Sequence, residues 1–525
     1  MNYPALRPGF RLSKSSYLNG RQCPLRLWLY SRDVPESSPD EETQDSVDDF
    51  ADQARLTERA AEQRFPDGVT VAPTHRDTST PSAEPIDSTA RAMADPSVAA
   101  LFQAQFETDS KIGITDILAR SGAGWILYEV KASSSIKPIF IWDLAFQWLL
   151  LEDCGHQVAA ARVLHLNKEY VYAGREVDTQ RLFVEVGCTE QVKAVLEEVR
   201  QEIRQLLDLL AAQETPVEPP GRRCDGNRSD KAGRRPSDCG HLSPDGFCGK
   251  HLPPNWSLRL PNMTGEAKMR HITLPGNDRI ENLNPKDARI DWSPVQARVI
   301  RSVKSGEPQV DKSRLREDLG NLQWPLTFVD FEFEPALAVP PFAGMRPNQK
   351  LPFQWSAQVQ SDPKAELVCL PPFLHVTRDD PREGFIQSLL KEIPPTGSIV
   401  VHSRQAESSV LGLYEEWCHG RYWPDCQKLV SRFVDTFDLA KQSYYHPNMD
   451  CSFSIKKLAP ALIDQGYDQL AIQDGMAAVR QWRQLIDDGT SAEEKAQIEN
   501  DLRAYCNQDT LLMHGIVTRF RELTR

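Results

Sequence analysis

The feature that most constrains the fold is a succession of strand and helix patterns between Leu101 and Val186. The segments KIGITDILAR and GWILYEVKAS alternate or run apolar as strands do, WDLAFQWLLLEDCG has helical character, and AARVLHLN indicates a buried strand. A long amphipathic helix pattern, TEQVKAVLEEVRQEIRQLLDLLAAQ, follows and ends at a proline-rich break. Strands that alternate with helices predict an α/β core.

A second run of such patterns lies in the C-terminal part of the sequence. It begins at PLTFVDFEFEP and continues through GSIVVHS and ESSVLGLYEEW to IENDLRAYCNQDTLLMHGIVTRF. A chain of 525 residues is too long for one hydrophobic core. We therefore predict an α/β protein in parts: an N-terminal module over 1–254 with flexible connections at 33–50 and 69–97, a linker and helix over 255–320, and a second α/β domain over 321–525.

Composition restricts the environment and the partners. No apolar stretch is long enough to cross a bilayer, and the first residues lack the apolar core of a secretory signal, so we expect a cytoplasmic protein with no membrane partner. Reduced thiols are then expected, and a cluster among the 11 cysteines indicates metal ligands rather than disulfides. The formal net charge of -13 requires that any nucleic-acid contact use local patches of Lys and Arg.

The first group of residues with catalytic chemistry lies on two adjacent predicted strands. Side chains two residues apart in a strand share a face, so Glu129 and Lys131 of YEVKAS project together beside Asp116 of GITDIL. Two carboxylates can hold Mg²⁺ or Mn²⁺, and a lysine can stabilise the charge that develops on a phosphate. The alternative is an exposed Glu/Lys pair on the solvated face of an edge strand.

This order of residues resembles the PD-(D/E)XK nucleases of the RecB-like group, including members associated with CRISPR. The resemblance covers about residues 10–250 and implies a restriction-endonuclease-like core. It also implies catalytic roles for Asp116, Glu129, Lys131 and Gln147, with metal bound at Asp116 and Glu129. The sequence departs from the pattern at Leu151, where a tyrosine often stands, and at Gln103, where a metal-binding glutamate is frequent.

Four cysteines extend the same resemblance. In this group one cysteine before a CP-x-x-W-like helix joins three after the nuclease core, which implies a structural [4Fe-4S] cluster held by Cys23, Cys224, Cys239 and Cys248. A zinc site of Cys224, Cys239, Cys248 and His251 is the alternative, and unrelated thiols are a third interpretation. Packing roles are expected for the remaining cysteines, Cys154, Cys188, Cys369, Cys418, Cys426, Cys451 and Cys506.

The second group of residues begins in LTFVDFEFEP. This strand pattern is apolar enough to be buried, yet Asp330 and Glu332 lie on one face of it, and unpaired buried carboxylates need a cation. Later in the chain, YCNQD places Tyr505 and Asp509 one helical turn apart.

D-x-E followed by Y-x-x-x-D resembles the RNase H-like 3′-5′ exonucleases of the DEDD type. The resemblance implies a two-metal site of Asp330, Glu332, Glu407 and Asp509, with Tyr505 positioning a water. Glu407 is the preferred middle acid, Asp435 and Asp438 are alternatives, and Asp438 is a supporting metal candidate. Residues 326–520 also resemble the C-terminal domain of an uncharacterised bacterial family, through FVDFEFEPALAVPPFAGMRPNQKLPFQWS, YYHPNMDCSFSIKKLAP and AYCNQDT.

We therefore expect a metal-dependent nuclease that acts on DNA, with RNA as the alternative substrate. Lys456 and Lys457 are candidate phosphate contacts, and Phe353 and Trp355 are candidates for stacking on bases; a solvated face and a hydrophobic core are the ordinary alternatives for these pairs. The competing hypothesis is a catalytically decayed nucleic-acid-binding or assembly scaffold held by an iron-sulfur or zinc site.

Overall fold

The structure is a computed structural model that describes residues 5–36, 41–71, 83–122, 124–218, 220–221, 224, 239–243, 246–263 and 265–525. The chain divides into two compact units. Unit 1 comprises Met1–Leu252 and Ala338–Asn348, and unit 2 comprises Pro253–Leu337 and Gln349–Arg525. None of the helices in these described ranges is both long and apolar enough to span a bilayer.

Unit 1 contains a mixed sheet surrounded by helices. Its elements are α1 Lys14–Gln22, α2 Pro24–Tyr30, α3 Glu41–Glu62, β1 Gly68–Thr70, α4 Ala83–Ala94, β2 Ala100–Glu107, β3 Ile112–Ser121, β4 Gly124–Lys131, α5 Pro138–Asp153, β5 Val158–Leu166, α6 Thr179–Leu182, β6 Phe183–Gly187 and α7 Thr189–Ala211. The six strands lie in the order β1-β2-β3-β4-β5-β6. Pairing is parallel for β1 with β2 and for β4 with β5, and antiparallel elsewhere.

Alternation along the strands gives the unit-1 sheet two apolar faces. Leu101, Leu118 and Leu127 join one buried cluster with side chains of α5 and α7. Their chain neighbours Phe102 and Ala119 point to the opposite face and pack with Ala60 and Ala61 of α3, among others. The predicted strands and helices between Leu101 and Val186 are thereby confirmed.

The N-terminal part of unit 1 has more regular structure than the sequence indicated. Helix α3 begins at Glu41 and α4 covers Ala83–Ala94, although 33–50 and 69–97 were expected as flexible connections. Gln53, Thr57, Ala60 and Ala61 are buried at helical spacing along α3, so the second half of this helix packs on the core. The residues at 46–48 are exposed and belong to the same helix. The remainder of those two stretches at 37–40 and 72–82 lies outside the described residues.

Unit 2 is also built on a mixed sheet. Its elements are α8 Glu266–Ile272, α9 Pro294–Ser305, β7 Gln309–Val310, α10 Lys312–Gly320, β8 Leu326–Leu337, β9 Gln349–Gln360, β10 Leu367–Cys369, β11 Phe373–Leu374, α11 Arg382–Glu392, β12 Ile399–Val401, α12 Arg404–Gly412, α13 Trp423–Ser431, β13 Phe433–Asp435, α14 Thr436–Ser443, β14 Tyr444–Tyr445, α15 Ile455–Ile463, α16 Gly475–Leu485 and α17 Ala492–Thr524. The main sheet has the order β10-β9-β8-β12-β13, β11 also pairs with β9, and β14 pairs with β7.

The centre of the unit-2 sheet is β8, which is antiparallel to β9 and parallel to β12. The long helix α17 covers it, and Phe328 and Val400 of the sheet pack with Met513 and Val517 of that helix. The segment 255–320, expected as a linker and helix, contributes α8, α9 and α10 to this unit. Both units are mixed α/β structures, so the predicted α/β class is confirmed.

Candidate functional site

In unit 1, a group of charged side chains surrounds Glu129, and we call it the unit-1 ion cluster: Asp116, Glu129, Asp143, Lys14 and Lys131. Glu129 lies near the end of β4 and is fully buried. Antiparallel pairing of β3 with β4 brings Asp116 beside it, and the backbone N–H of Val130 donates a 2.8 Å hydrogen bond to Asp116 Oδ2. The predicted pair of carboxylates therefore lies together.

The carboxylate of Glu129 is saturated by contacts from three elements. Lys131, two residues along the same strand, and Lys14, the first residue of α1, both contact Oε1, and the Lys14 distance is 2.9 Å. Gln147 of α5 donates to Oε2 at 2.6 Å. Asp143, one turn before Gln147, lies 3.3 Å from Lys14 Nζ and 3.2 Å from Lys131 Nζ.

These contacts shift the pKa values of the three acids differently. Burial disfavours ionisation of Glu129, but the charges of Lys131 and Lys14 outweigh it and hold the pKa of Glu129 well below its ordinary value. Burial and then the charge of Glu129 raise the pKa of Asp116 to about 7. The same two causes raise the pKa of Asp143. The negative charge of the cluster is thus concentrated on Glu129.

The two departures from the nuclease pattern have clear structural positions. Gln103 interrupts the register of β2 with a φ of 55°, and its side chain donates to Glu58 Oε2 of α3 at 3.4 Å. The charge of Glu58 also raises the pKa of Asp116, so a carboxylate from α3 faces this site. Leu151 is fully buried in the apolar core. Sequence reasoning missed Lys14, Asp143 and Glu58; the signal that was available for Asp143 is its spacing of four residues from Gln147.

A second feature of unit 1 is a small cavity, called here the cysteine cavity. All four predicted cysteines line it, together with His241: Cys23, Cys224, Cys239 and Cys248. Cys23 caps α1 and α2, whereas the other three follow α7 in the chain. Burial raises the pKa of Cys239 to about 12 and that of Cys248 to about 11, so these thiols need a metal to become thiolates near neutral pH.

His241 contributes an imidazole that the sequence analysis did not assign. The ring is 1% exposed, and neither nitrogen has a hydrogen-bond partner among the described residues. Burial lowers its pKa, so the neutral form is favoured. His251, the histidine of the zinc alternative, is exposed. Four thiols and a neutral imidazole form a donor set suited to an iron-sulfur cluster or to Zn²⁺.

In unit 2, four acids converge, and we call them the unit-2 carboxylate cluster: Asp330, Glu332, Glu407 and Asp509. Asp330 and Glu332 lie on one face of β8, opposite Ser356 and Gln354 of β9. The Ser356 hydroxyl donates to Cys506 O at 2.6 Å, and Gln354 Nε2 donates to Leu502 O at 2.8 Å. These polar side chains of β9 dock α17 on the sheet beside the acids of β8.

Helix α17 contributes Tyr505, Cys506 and Asp509. The hydroxyl of Tyr467 donates a short hydrogen bond to Asp509 Oδ1, and its ring lies 5.8 Å from that of Tyr505. Cys506 Sγ lies 3.7 Å from Asp330 Oδ2. Ligand atoms of Asp330, Glu332 and Cys506 all lie within 4.8 Å of one another. The predicted Tyr505 and Asp509 therefore lie with the D-x-E acids, and Tyr467 and Cys506 are added.

A sharp turn after β12 brings Glu407 into this cluster. Ser403 adopts a left-handed conformation with a φ of 78°, and α12 begins at the next residue. Asp435 fixes the turn, because it accepts hydrogen bonds from the backbone N–H groups of Ser403 at 3.0 Å and Arg404 at 2.8 Å. Glu407 is 3% exposed, and its Oε2 has no hydrogen-bond partner among the described residues. Among the three candidate middle acids, Glu407 acts by its charge on both Asp330 and Glu332, whereas Asp435 is engaged in the turn.

The pKa values indicate that the four acids of unit 2 interact. Burial raises the pKa of Asp330 and of Glu332, and the charge of Asp509 raises both further. Burial likewise raises the pKa of Glu407 to about 8 and that of Asp509 to about 7. Lys456 opposes these shifts at Glu332 and Asp509. The raised pKa values favour the protonated forms of these acids unless a cation offsets the cost of burying their negative charge.

Other predicted residues have different surroundings. Asp438 is exposed, and desolvation followed by the charge of Asp435 raises its pKa. Phe353 and Trp355 are fully buried, and Phe353 stacks on Trp482, so base stacking is wrong and the core alternative is correct. Lys456 is half-buried and Lys457 exposed. The signal for Cys506 was its position next to Tyr505 in YCNQD, whereas no sequence pattern indicated Tyr467.

Comparison with known proteins gives one family match. Residues 327–454 match the model of a family described as a domain of unknown function, DUF2779. The matched segment includes Asp330, Glu332 and Glu407 and ends before Tyr505 and Asp509. The comparison with curated proteins returned no match.

Proposed function

We propose that this protein is a metal-dependent nuclease whose principal catalytic centre is the unit-2 carboxylate cluster. The observation that carries the proposal is that Asp330, Glu332, Glu407 and Asp509, from β8, α12 and α17, interact in one site, where Asp330 is half-buried and the other three are buried. Their arrangement is compatible with the resemblance to RNase H-like exonucleases of the DEDD type, which supplies the reaction class: hydrolysis of phosphodiester bonds.

The donor set fits divalent cations. It consists mainly of carboxylate oxygens, the ligands that Mg²⁺ and Mn²⁺ prefer, and Glu407 Oε2 is a buried acceptor without a hydrogen-bond partner among the described residues. A pair of divalent ions at such a site stabilises the attacking and leaving oxygens of a phosphodiester. Cations would also relieve the repulsion that raises the pKa values of Asp330 and Glu332.

The other residues of the site would position the reactants. Burial, followed by the charges of Glu332 and Asp509, raises the pKa of Tyr505 well above its ordinary value, so Tyr505 keeps its proton and can orient a water by hydrogen bonding. Tyr467 holds one oxygen of Asp509 in place. Lys456, whose charge acts on Glu332 and Asp509, is placed to attract a substrate phosphate to this end of the cluster.

Unit 1 is proposed as a restriction-endonuclease-like module of the PD-(D/E)XK class. Its candidate site combines the acids Asp116 and Glu129 with Lys131 and Gln147, and the four thiols of the cysteine cavity suit a structural [4Fe-4S] cluster, with Zn²⁺ as the alternative. The proposed partner is nucleic acid, with DNA favoured over RNA, and the proposed location is the cytoplasm.

One observation favours the alternative that unit 1 is a catalytically decayed scaffold. Both oxygens of Glu129 are already engaged, Oε1 by Lys14 and Lys131 and Oε2 by Gln147. A carboxylate in this state binds a metal only after one of those contacts is broken. If one centre cleaves, we expect it to be the unit-2 carboxylate cluster.

The test is cleavage by the purified full-length protein of end-labelled single- and double-stranded DNA and RNA, with Mg²⁺, Mn²⁺ or EDTA. Asp330→Asn and Glu407→Gln should each reduce metal-dependent cleavage on the order of 10³-fold. Asp438→Asn is the matched control, because this exposed acid lies on the neighbouring helix α14, and its rate should equal that of wild type.

Lys131→Ala, alone and combined with Asp330→Asn, separates the contribution of unit 1. The combined variant should show no metal-dependent cleavage. Equal rates for wild type and the combined variant would refute the proposed nuclease activity, because cleavage would then come from a contaminant. Loss of cleavage in Lys131→Ala with full activity in Asp330→Asn would assign catalysis to unit 1.

A further inference from the structure

Lys14 is a lysine whose ammonium group contacts two buried acids. It is the first residue of α1, and a capping box between Ser13 and Ser16 fixes that helix start. Its Nζ lies 2.9 Å from Glu129 Oε1 and 3.3 Å from Asp143 Oδ1, and its side chain is 25% exposed. A residue of a separate helix therefore bridges acids of β4 and α5.

Two ammonium groups share the same two acids. Lys131 Nζ also contacts Glu129 Oε1 and lies 3.2 Å from Asp143 Oδ2. Lys131 comes from the same strand as Glu129, as the E-x-K pattern requires, but Lys14 is an additional cation. Gln147 completes the site with a buried Oε1 that has no hydrogen-bond donor among the described residues.

We propose that the Lys14 ammonium is a built-in cation of the unit-1 ion cluster, occupying the place where a divalent ion would otherwise bridge Glu129 and Asp143. Removal of this charge should therefore increase the binding of divalent ions by unit 1. The inference rests on the proposed function in one respect, namely that the acids of unit 1 can bind a metal.

Charge and geometry support this role. The unit-1 ion cluster has three acids and two ammonium groups in direct contact with two of them, so it lacks one positive charge when fully ionised. An ammonium and a divalent ion bind the same carboxylate oxygens at short range, and like charges at that separation repel strongly. One divalent ion beside Asp116 takes the fully ionised cluster from a net charge of -1 to +1, so a second ion must displace Lys14.

The pKa values agree with a permanently charged lysine. Burial alone would lower the pKa of Lys14, but Asp143 and Glu129 raise it well above its ordinary value. In unit 2 the balance differs, because the pKa values of all four acids are raised.

The experiment measures Mn²⁺ binding to the full chain in an Asp330→Asn/Asp509→Asn background, which disables the unit-2 cluster. Free Mn²⁺ is followed by its paramagnetic resonance signal during titration, and thermal midpoints are recorded with and without Mn²⁺. Lys14→Met and Lys14→Gln remove the charge, and Lys14→Arg retains it. Lys111→Met is the matched control, because Lys111 is a buried lysine that pairs with Asp153 of α5 outside the cluster.

Lys14→Met and Lys14→Gln should bind Mn²⁺ about tenfold more tightly than the background, or bind one more ion. Their thermal midpoints should fall without Mn²⁺ and recover with it, whereas Lys14→Arg and Lys111→Met should match the background in Mn²⁺ affinity. If Lys14→Met folds only with Mn²⁺, that dependence also supports the proposal, and the titration is made on Lys14→Gln.

Unchanged or weaker Mn²⁺ binding in both charge-removal variants would overturn the role of Lys14. The same holds if Lys111→Met gains affinity equally, because the effect would then be a general one of net charge. The readout is metal binding by unit 1. A wild-type protein that cleaves no nucleic acid would therefore refute the proposed function, while the Mn²⁺ titrations would still decide the role of Lys14.

Discussion

Glu129 and Glu407 are both almost inaccessible glutamates, and their surroundings move their pKa values in opposite directions. Lys131 and Lys14 touch the carboxylate of Glu129, so it stays ionised despite burial. Glu407 has an unpartnered oxygen among the described residues and negative neighbours, so burial raises its pKa to about 8. The difference arises because contact with a cation offsets the cost of burying charge, whereas another acid increases it.

The raised pKa values in unit 2 predict how metal-free stability depends on pH. The pKa is about 8 for Glu407 and about 7 for Asp509, whereas carboxyl groups of an unfolded chain titrate near 4. Between these values the folded protein binds more protons than the unfolded chain. Its free energy of unfolding should therefore fall as the pH rises from about 5 to about 8, and Mg²⁺ or Mn²⁺ should reverse the fall.

Urea denaturation in EDTA at several pH values measures this dependence. Glu407→Gln removes one of the titrating groups, so its free energy of unfolding should decrease less steeply with pH than that of wild type. Asp468→Asn, which changes an exposed acid next to Tyr467 in sequence, should keep the wild-type slope. A slope in Glu407→Gln as steep as in wild type would contradict the assignment.

Among the elements, α1 has residues of a candidate centre at both ends. Lys14 starts the helix in the unit-1 ion cluster, and Cys23 ends it at the cysteine cavity, where its backbone N–H donates to Asn19 O at 2.8 Å. Pro24 then begins α2, which needs no N–H from that residue. One short helix thus joins the two candidate centres of unit 1.

Cys23→Ser tests the cysteine cavity at this element. Anaerobically purified wild-type protein should be brown, with broad absorption near roughly 400 nm and about four irons per chain, and Cys23→Ser should lose most of both. Cys154→Ser is the control, because Cys154 is a half-buried thiol of unit 1 that donates to Glu107 O, as a serine hydroxyl can. Colourless wild-type protein with one zinc per chain would instead establish the zinc alternative.

For the whole molecule, each candidate centre is built within a single unit. The unit-1 ion cluster and the cysteine cavity belong to Met1–Leu252, and the unit-2 carboxylate cluster belongs to Pro253–Leu337 and Gln349–Arg525. Each unit also has its own apolar core. The centres should therefore respond to mutation separately.

Hydrogen exchange tests this separation. Mn²⁺ should slow exchange in β8 and α17 of wild-type protein, because the ions link acids of those two elements. In Asp330→Asn/Asp509→Asn this protection should disappear, while any Mn²⁺-dependent protection of β4 and α5 should remain. Loss of protection in both units would show that the centres are coupled.

Much of the fold and several acids of each cluster could be predicted from local sequence. The alternation of β3 and β4, the apolar content of α5 and the D-x-E of β8 identified Asp116, Glu129, Gln147, Asp330 and Glu332, because strand and helix periodicity fix which neighbouring residues share a face. The same local argument placed Tyr505 and Asp509 one turn apart on α17. It did not indicate the full length of α3, which begins at Glu41, well before the buried positions Gln53 and Thr57.

The partners of these residues were decided by the tertiary structure. Lys14 meets Glu129 across 115 positions of sequence, and Tyr467 meets Asp509 across 42. No local pattern encodes such contacts, because they depend on how separate elements pack on a sheet. The sequence by itself determined which acids share a strand face. Only the tertiary structure decided which acids contact lysines and which have raised pKa values, since both depend on the burial and charge brought by distant segments.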